Sequence, residues 1–208
     1  MSDFGTMVSR IEDEIARTDL TTNVERAIVS AINYYEREPW WFLEDRTDTF
    51  TTSSGAEFYS SADQTWIATA GHINTLKITV NSNRYDLVPR QYEYLDSISL
   101  LATSLGQPQD FCYYAKQFRL YPIPDAAYEV RASYNKRTTT LSAGSDSSDW
   151  MTEAEELIRS RAKWDVYAHV IRDMEGAEYM KASERDIYGQ MKSDNIGRVG
   201  AGITPTFF

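Results

Sequence analysis

The chain has 208 residues, a net charge of −10, one cysteine, 14 tyrosines and 5 tryptophans. That length is enough for one substantial domain, or one domain with an appendage. The acidic balance argues against a protein that grips nucleic acid over its whole surface, though not against one past which DNA slides.

Apolar residues at Phe4, Met7, Val8, Ile11 and Ile15 fall at helical spacing, with Glu12, Asp13 and Glu14 on the wet side, and predict a helix over 4–17. The stretch DLTTNVER then supplies a break and a restart. Thr22 and Glu25 fit a capping box, in which each side chain satisfies a free backbone N–H of the helix start. Val24, Ala27, Ile28, Ala31, Ile32 and Tyr35 continue the stripe. Pro39 disfavours helix at Glu38, so the second helix is expected to stop near Arg37 and to lie antiparallel to the first. Trp40, Trp41 and Phe42 are expected to plug the seam beside this pair.

From Thr47 the period changes. TDTFTTSS, AEFYSS, TWIATA, NTLKITV and NRYDLVP are short runs rich in Thr, Val, Ile and Tyr, and read as strands. Residues 81–83 form a turn between them. Tyr94, Leu95, Ile98, Leu101 and Leu105 suit a helix closed by Gly106. The stretch from Gly106 to Arg137 reads as two aromatic-rich strands joined by a short proline-bearing turn. Residues 142–149 are a polar linker. Thr152 and Glu155 suggest a second capping box. A long helix is predicted over 152–191, its early carboxylates favouring the helix dipole and Gly176 its weak point. The stretch GRVGAGITPTFF reads as a flexible arm.

The order defines an α+β fold: an N-terminal helix pair (4–37), a central antiparallel, mostly β segment with a hairpin (47–137) and a long C-terminal helix (152–191). One domain over 1–192 and a flexible C-terminal arm over 193–208 are expected.

Motifs for chemistry are missing from this order. His72, in an expected turn, and His169, in the long helix, stand apart, and no paired His or Cys spacing suggests zinc. Asp146 and Asp149 lack the spacing of a calcium loop. The glycines at 197, 200 and 202 are not in dinucleotide-binding order. Arg159, Arg161 and Lys163 cluster, but flanking carboxylates favour ion pairs over a phosphate grip. No cofactor or metal is expected. Cys112, between Phe111 and Tyr113, reads as a packed, inert thiol. The opening residues carry no signal-peptide pattern and no stretch is apolar enough to span a membrane, so cytoplasmic synthesis is the expectation. Phe207 and Phe208, with Ile203 and Pro205 before them, suit an anchor that docks in a partner's pocket.

Taken in order, INYYEREPWWFLEDRT, YDLVPRQYEYLDSI, the pattern in GQPQDFCYYAKQFRLYPIPDAAYEVRASY, and WMTEAEELIRSRA resemble the head-to-tail adaptor proteins of tailed bacteriophages over nearly the whole chain. The resemblance implies a structural virion protein of the neck, made in the host cytoplasm, that forms a dodecameric ring on the portal protein. Such a ring would extend the DNA channel, let genomic DNA pass without tight binding, and offer a platform to a downstream tail or nozzle protein. On this reading Tyr121, Pro122, Pro124, Tyr128 and Tyr134 are scaffold and subunit or tail contacts, and the arm with Ile203, Pro205, Phe207 and Phe208 docks on the portal. Three alternatives remain open from sequence: another neck or tail-tube connector, a cell-wall hydrolase using paired carboxylates, and a free-standing DNA-binding module.

Overall fold

A computed structural model describes residues 3–101, 104–138 and 141–199 of the chain. The fold is α+β, with helices, antiparallel strands and a long C-terminal helix. The chain divides into two compact units. One takes the chain up to Phe42 and again from Thr138 onward; the other is Leu43–Arg137.

The first unit is helical. Helix α1 (Phe4–Glu14) is capped by Asp3, whose carboxylate accepts from the Thr6 N–H at 2.7 Å. Helix α2 is Thr21–Tyr35. Its expected capping box does not form: the N-cap is Leu20, so Thr22 and Glu25 already lie inside the helix, and the neighbouring Thr21 hydroxyl donates to Glu12 instead. The apolar stripes behave as their spacing demands, and Met7, Ile11, Val24 and Ile28 are fully buried. The linker at 142–149 is ordered: backbone N–H groups of Phe4 and Gly5 donate to the carbonyls of Asp146 and Gly144, both at 2.8 Å.

The predicted helix over 152–191 is in fact broken. Helix α4 (Asp149–Glu153) stops at Ala154, whose φ of −136° and ψ of 25° leave the helical region. Thr152 lies inside α4 rather than capping the next helix. Helix α5 (Glu155–Asp165) runs into a π-helical segment, Val166–Ile171, that ends on Arg172 in the left-handed region (φ 62°). The chain then restarts as α6 (Met174–Val199). Asp173 supplies the start signal: its carboxylate accepts from the N–H groups of Glu175 (3.2 Å) and Gly176 (3.1 Å). Gly176 permits this close turn, because a Cβ there would stand 2.6 Å from the Asp173 carboxylate. It sits just after the break rather than within a continuous helix. Residues 193–199, expected in the arm, belong to α6.

Among the described residues, the second unit holds three sheets. Strands β1 (Glu44–Asp45), β2 (Thr49–Thr51), β4 (Ala70–Val80), β5 (Asn83–Asp86) and β11 (Glu129–Lys136) form one sheet, ordered β1-β11-β4-β5 with β2 also on β11. Strands β3 (Phe58–Tyr59), β6 (Val88–Pro89), β8 (Asp110–Tyr114) and β9 (Gln117–Tyr121) form a second, ordered β3-β9-β8-β6. Two short strands, β7 (Leu105–Gly106) and β10 (Ile123–Pro124), pair in parallel. Alternate residues Leu76 and Ile78 of β4, Val130, Ala132 and Tyr134 of β11, and Phe118 and Leu120 of β9 meet in one core with Phe50, Tyr59 and Phe111.

Several expectations change here. TWIATA is a 3-10 turn (Thr65–Thr69) rather than a strand, with Trp66 stacked on Tyr134 at 4.9 Å. His72 lies in β4 opposite Asn135, not in a turn. The expected helix is α3 (Tyr92–Leu101), and Gly106 belongs to a strand. The tight β8–β9 hairpin turns at Ala115 and Lys116, both with positive φ, and contains no proline. The turn at Asn81–Ser82, also with positive φ, falls where the sequence put it. The proline-bearing stretch instead carries the chain from β9 in one sheet to β11 in another.

Helix α3 is tied to the β3-β9-β8-β6 sheet by a buried charge. Arg119 of β9 donates to Glu57 (2.5 Å), Asp96 (3.3 Å) and Ser99 (2.8 Å), and its guanidinium lies 5.0 Å from the Tyr92 ring. Burial opposes its charge, but the bonds to Glu57 and Asp96 outweigh that and raise its pKa. Replacing Arg119 with Met is expected to lower the stability of this unit by about 2 kcal/mol, because Glu57 and Asp96 lose their partner. Urea unfolding with amide exchange checks this: the midpoint falls and α3 exchanges faster, whereas an unchanged midpoint would contradict the assignment.

Candidate functional site

The residues expected to make contacts fall into three groups. Ile203, Pro205, Phe207 and Phe208 lie outside the described residues. Tyr121, Pro122 and Tyr128 are half-buried, and Pro124 is buried in its pairing with Gly106. Tyr134 belongs to the interior: it is 2% exposed and its hydroxyl donates to Asp48 at 2.6 Å. Of this set, then, Tyr121, Pro122 and Tyr128 retain accessible surface. Thr52 holds the loop that carries them, donating to the Ala126 carbonyl (2.9 Å) and accepting from the Tyr128 N–H (2.8 Å). The Tyr128 hydroxyl donates to Asp125 at 2.7 Å across the exposed tip.

In the helical unit, sequence reasoning missed a polar seam along α6. Glu184, Tyr188, Lys192, Asn195 and Arg198 recur at helical spacing on one side of the helix. The Tyr35 hydroxyl donates to Glu184 at 2.5 Å, and Arg161 pairs with the same carboxylate at 3.0 Å. Tyr188 donates to Glu38, which Lys192 also pairs. Asn195 accepts from the Trp41 N–H and donates to the Pro39 carbonyl, both at 2.9 Å. Arg198 lies over the Trp41 ring at 4.6 Å. The spacing is visible in the sequence; the partners, most of them some 150 residues away along the chain, are not.

The basic cluster noted in the sequence is likewise spent within the fold. The cluster Arg159, Arg161 and Lys163 is ion-paired: Arg159 with Glu14 and Glu155, Arg161 with Glu184, Lys163 with Glu14. His169 packs edge-on against Trp164. Cys112 is buried, and burial pushes its thiol pKa up. Among the described residues, no group of three His, Cys, Asp or Glu side chains is placed to hold a metal, and no helix is long and apolar enough to cross a membrane.

The chain matches the SU10 adaptor protein family over residues 2–203, and it belongs to that family of bacteriophage adaptor proteins. No individually curated protein is matched. The likeness to phage adaptors carried by the aromatic and proline motifs is thereby borne out.

The seam along α6 sets a pH window. Burial opposes ionisation of Glu38, but the bonds from Lys192 and Tyr188 hold its pKa below the ordinary 4.5. Its contribution is present above that value and is lost as pH falls through the lowered one. Burial, then the bond to Glu38, pushes Tyr188 from 10.0 up to about 12. That contribution is present below pH 10 and is lost as pH rises toward 12. Tryptophan fluorescence is expected to report loosening of α6 on both sides of this window. Tyr188→Phe should make the alkaline loss less steep and cost about 1 kcal/mol at neutral pH. An alkaline limb as steep as that of the unmodified protein would count against the seam.

Proposed function

We propose that this protein is a structural head-to-tail adaptor of the virion neck. It attaches to the portal, assembles there as a ring of copies, extends the DNA channel and presents a platform to the tail. The observation that carries this reading is the family match over residues 2–203. Two features of the chain support it. A net charge of −10, with its clustered cations paired internally, suits a conduit that DNA traverses without adhering. Half-buried Tyr121 and Tyr128, on a loop held at both ends by Thr52 and by the β7–β10 pairing, offer preorganised aromatic surface to a neighbour.

The docking element on the portal is, in this proposal, the stretch with Ile203, Pro205, Phe207 and Phe208; its aromatic content is the support. Light scattering of the protein alone and with purified portal rings tests both parts. The expected result is a defined ring-sized complex with portal. Deleting residues 200–208 should weaken that complex about tenfold or more. Failure to bind portal under any condition would overturn the adaptor reading, and undiminished binding by the truncated chain would overturn the role of the arm alone.

A further inference from the structure

Two outward faces of the helical unit match each other in charge. On α2, Thr22, Arg26, Val29 and Asn33 form an outer stripe opposite the buried one, and with Arg37 in the turn after the helix they line a groove floored by Phe4 and Leu141. Arg26 and Arg37 are exposed, stand eleven residues apart, and have no ion-pair partner among the described residues. Glu25 is the one carboxylate lining the groove, and Arg161, at its edge, is already paired with Glu184. On α6, Glu175, Tyr179, Ala182 and Asp186 fall at the same helical spacing, and all four are exposed. Glu175 and Asp186 are likewise eleven residues apart and unpaired among the described residues. Eleven helical residues span about 16 Å, which sets Glu175 and Asp186 that far apart along α6, while Arg26 and Arg37 are the same number of residues apart with Arg37 in the turn after α2. Between the anions stands Tyr179, 72% exposed and the most exposed large apolar side chain among the described residues. Val29 and Asn33 lie between the cations. Gly189, Ser193 and Gly197 extend the α6 face with small residues that allow close approach.

We propose that copies of this chain associate head to tail, with the outer face of α6 on one copy seated in the arginine groove of α2 on the next. Arg26 and Arg37 pair with Glu175 and Asp186, and Tyr179 packs over Val29. The two faces differ, so the contact is heterologous: each copy carries one face of each kind, and the association propagates until it closes as a ring. An acidic chain gains a specific device here, because copies of like net charge repel unless opposite charges are brought face to face. The proposal rests on the ring reading above and assigns its contact.

The test uses the full chain with portal rings, comparing unmodified protein with R26E/R37E, E175R/D186R and the fourfold reversal, each checked for native circular dichroism. The readouts are copies retained per portal ring and cross-linking by a short bismaleimide in an N33C/A182C variant, Cys112 being buried. Each double reversal is expected to weaken association between copies about tenfold or more, and the fourfold reversal to restore most of it. Cross-linking should give a ladder of multimers rather than dimers alone. Full rings from both double reversals, or no rescue in the fourfold variant, would overturn this contact while leaving the adaptor reading intact. Loss of portal attachment with no change between copies would assign the groove to a different acidic partner and also overturn it. Unmodified protein that binds neither portal nor itself would overturn both readings.

Discussion

Trp40 and Trp150 are fully buried and meet edge to face at 6.0 Å, and the helical unit is organised around that contact. Phe42 stands edge-on to Trp150 at 5.0 Å, Tyr35 lies 6.2 Å from Trp150, and Tyr188 of α6 stands edge-on to Trp40. Four parts of the chain therefore share one aromatic cluster: the end of α2, the segment with Trp40 and Phe42 that follows it, the short α4 and the middle of α6. Rings of this size bury large apolar areas and also constrain angles, because edge-to-face contact is preferred over a flat sandwich. Their polar tips find partners too. The Trp40 indole N–H donates to the Tyr35 carbonyl at 2.9 Å, and the Tyr35 hydroxyl reaches Glu184.

That cluster explains how α6 is held with so little fully buried apolar surface. Among the described residues its buried positions are Ala177, Glu184 and Asn195, while Met180, Ile187 and Met191 are only half covered. Water can replace a polar seam more readily than it can replace an apolar one, since each hydrogen bond contributes only about 1 kcal/mol net. The helix is fixed in register by its partners, because Asn195 bridges Pro39 and Trp41 in a way no neighbouring residue could reproduce. Its remaining faces are left for other contacts. The adaptor family to which the chain belongs is one of assembly components, and a helix docked by a narrow seam with broad free flanks suits that role.

The β-rich unit solves a similar problem with one residue. Arg119 sits between Phe118 and Leu120, which face the core, so its own side chain must point to the opposite face of the sheet. There α3 covers it, and Glu57, Asp96 and Ser99 satisfy it. The same strand thus contributes to an apolar core on one side and to a charged anchor on the other. The long pairing of β4 with β11 supplies the rigid base, and the loop with Pro122 and Pro124 leaves it at one end.

The sequence alone determined whatever depends on near neighbours. The stripes of α1 and α2, the turn at Asn81–Ser82, the buried Cys112 and the α+β order follow from local period, turn chemistry and composition. The aromatic and proline motifs carried the family. Tertiary structure alone decided which polar groups become buried. Glu184, Asn195 and Arg119 look like solvated residues in sequence, and each is buried because a partner from a distant segment satisfies it. It also decided the break at Arg172–Asp173, where capping by Asp173 and packing of α5 against α6 outweigh a helical pattern that reads as continuous. In the same way it sent β9 and β11 to different sheets, although their sequence resembles a simple hairpin. Local period tells which side of an element is apolar, but the choice of partner depends on contacts between residues far apart in the chain, and those exist only once the chain has folded.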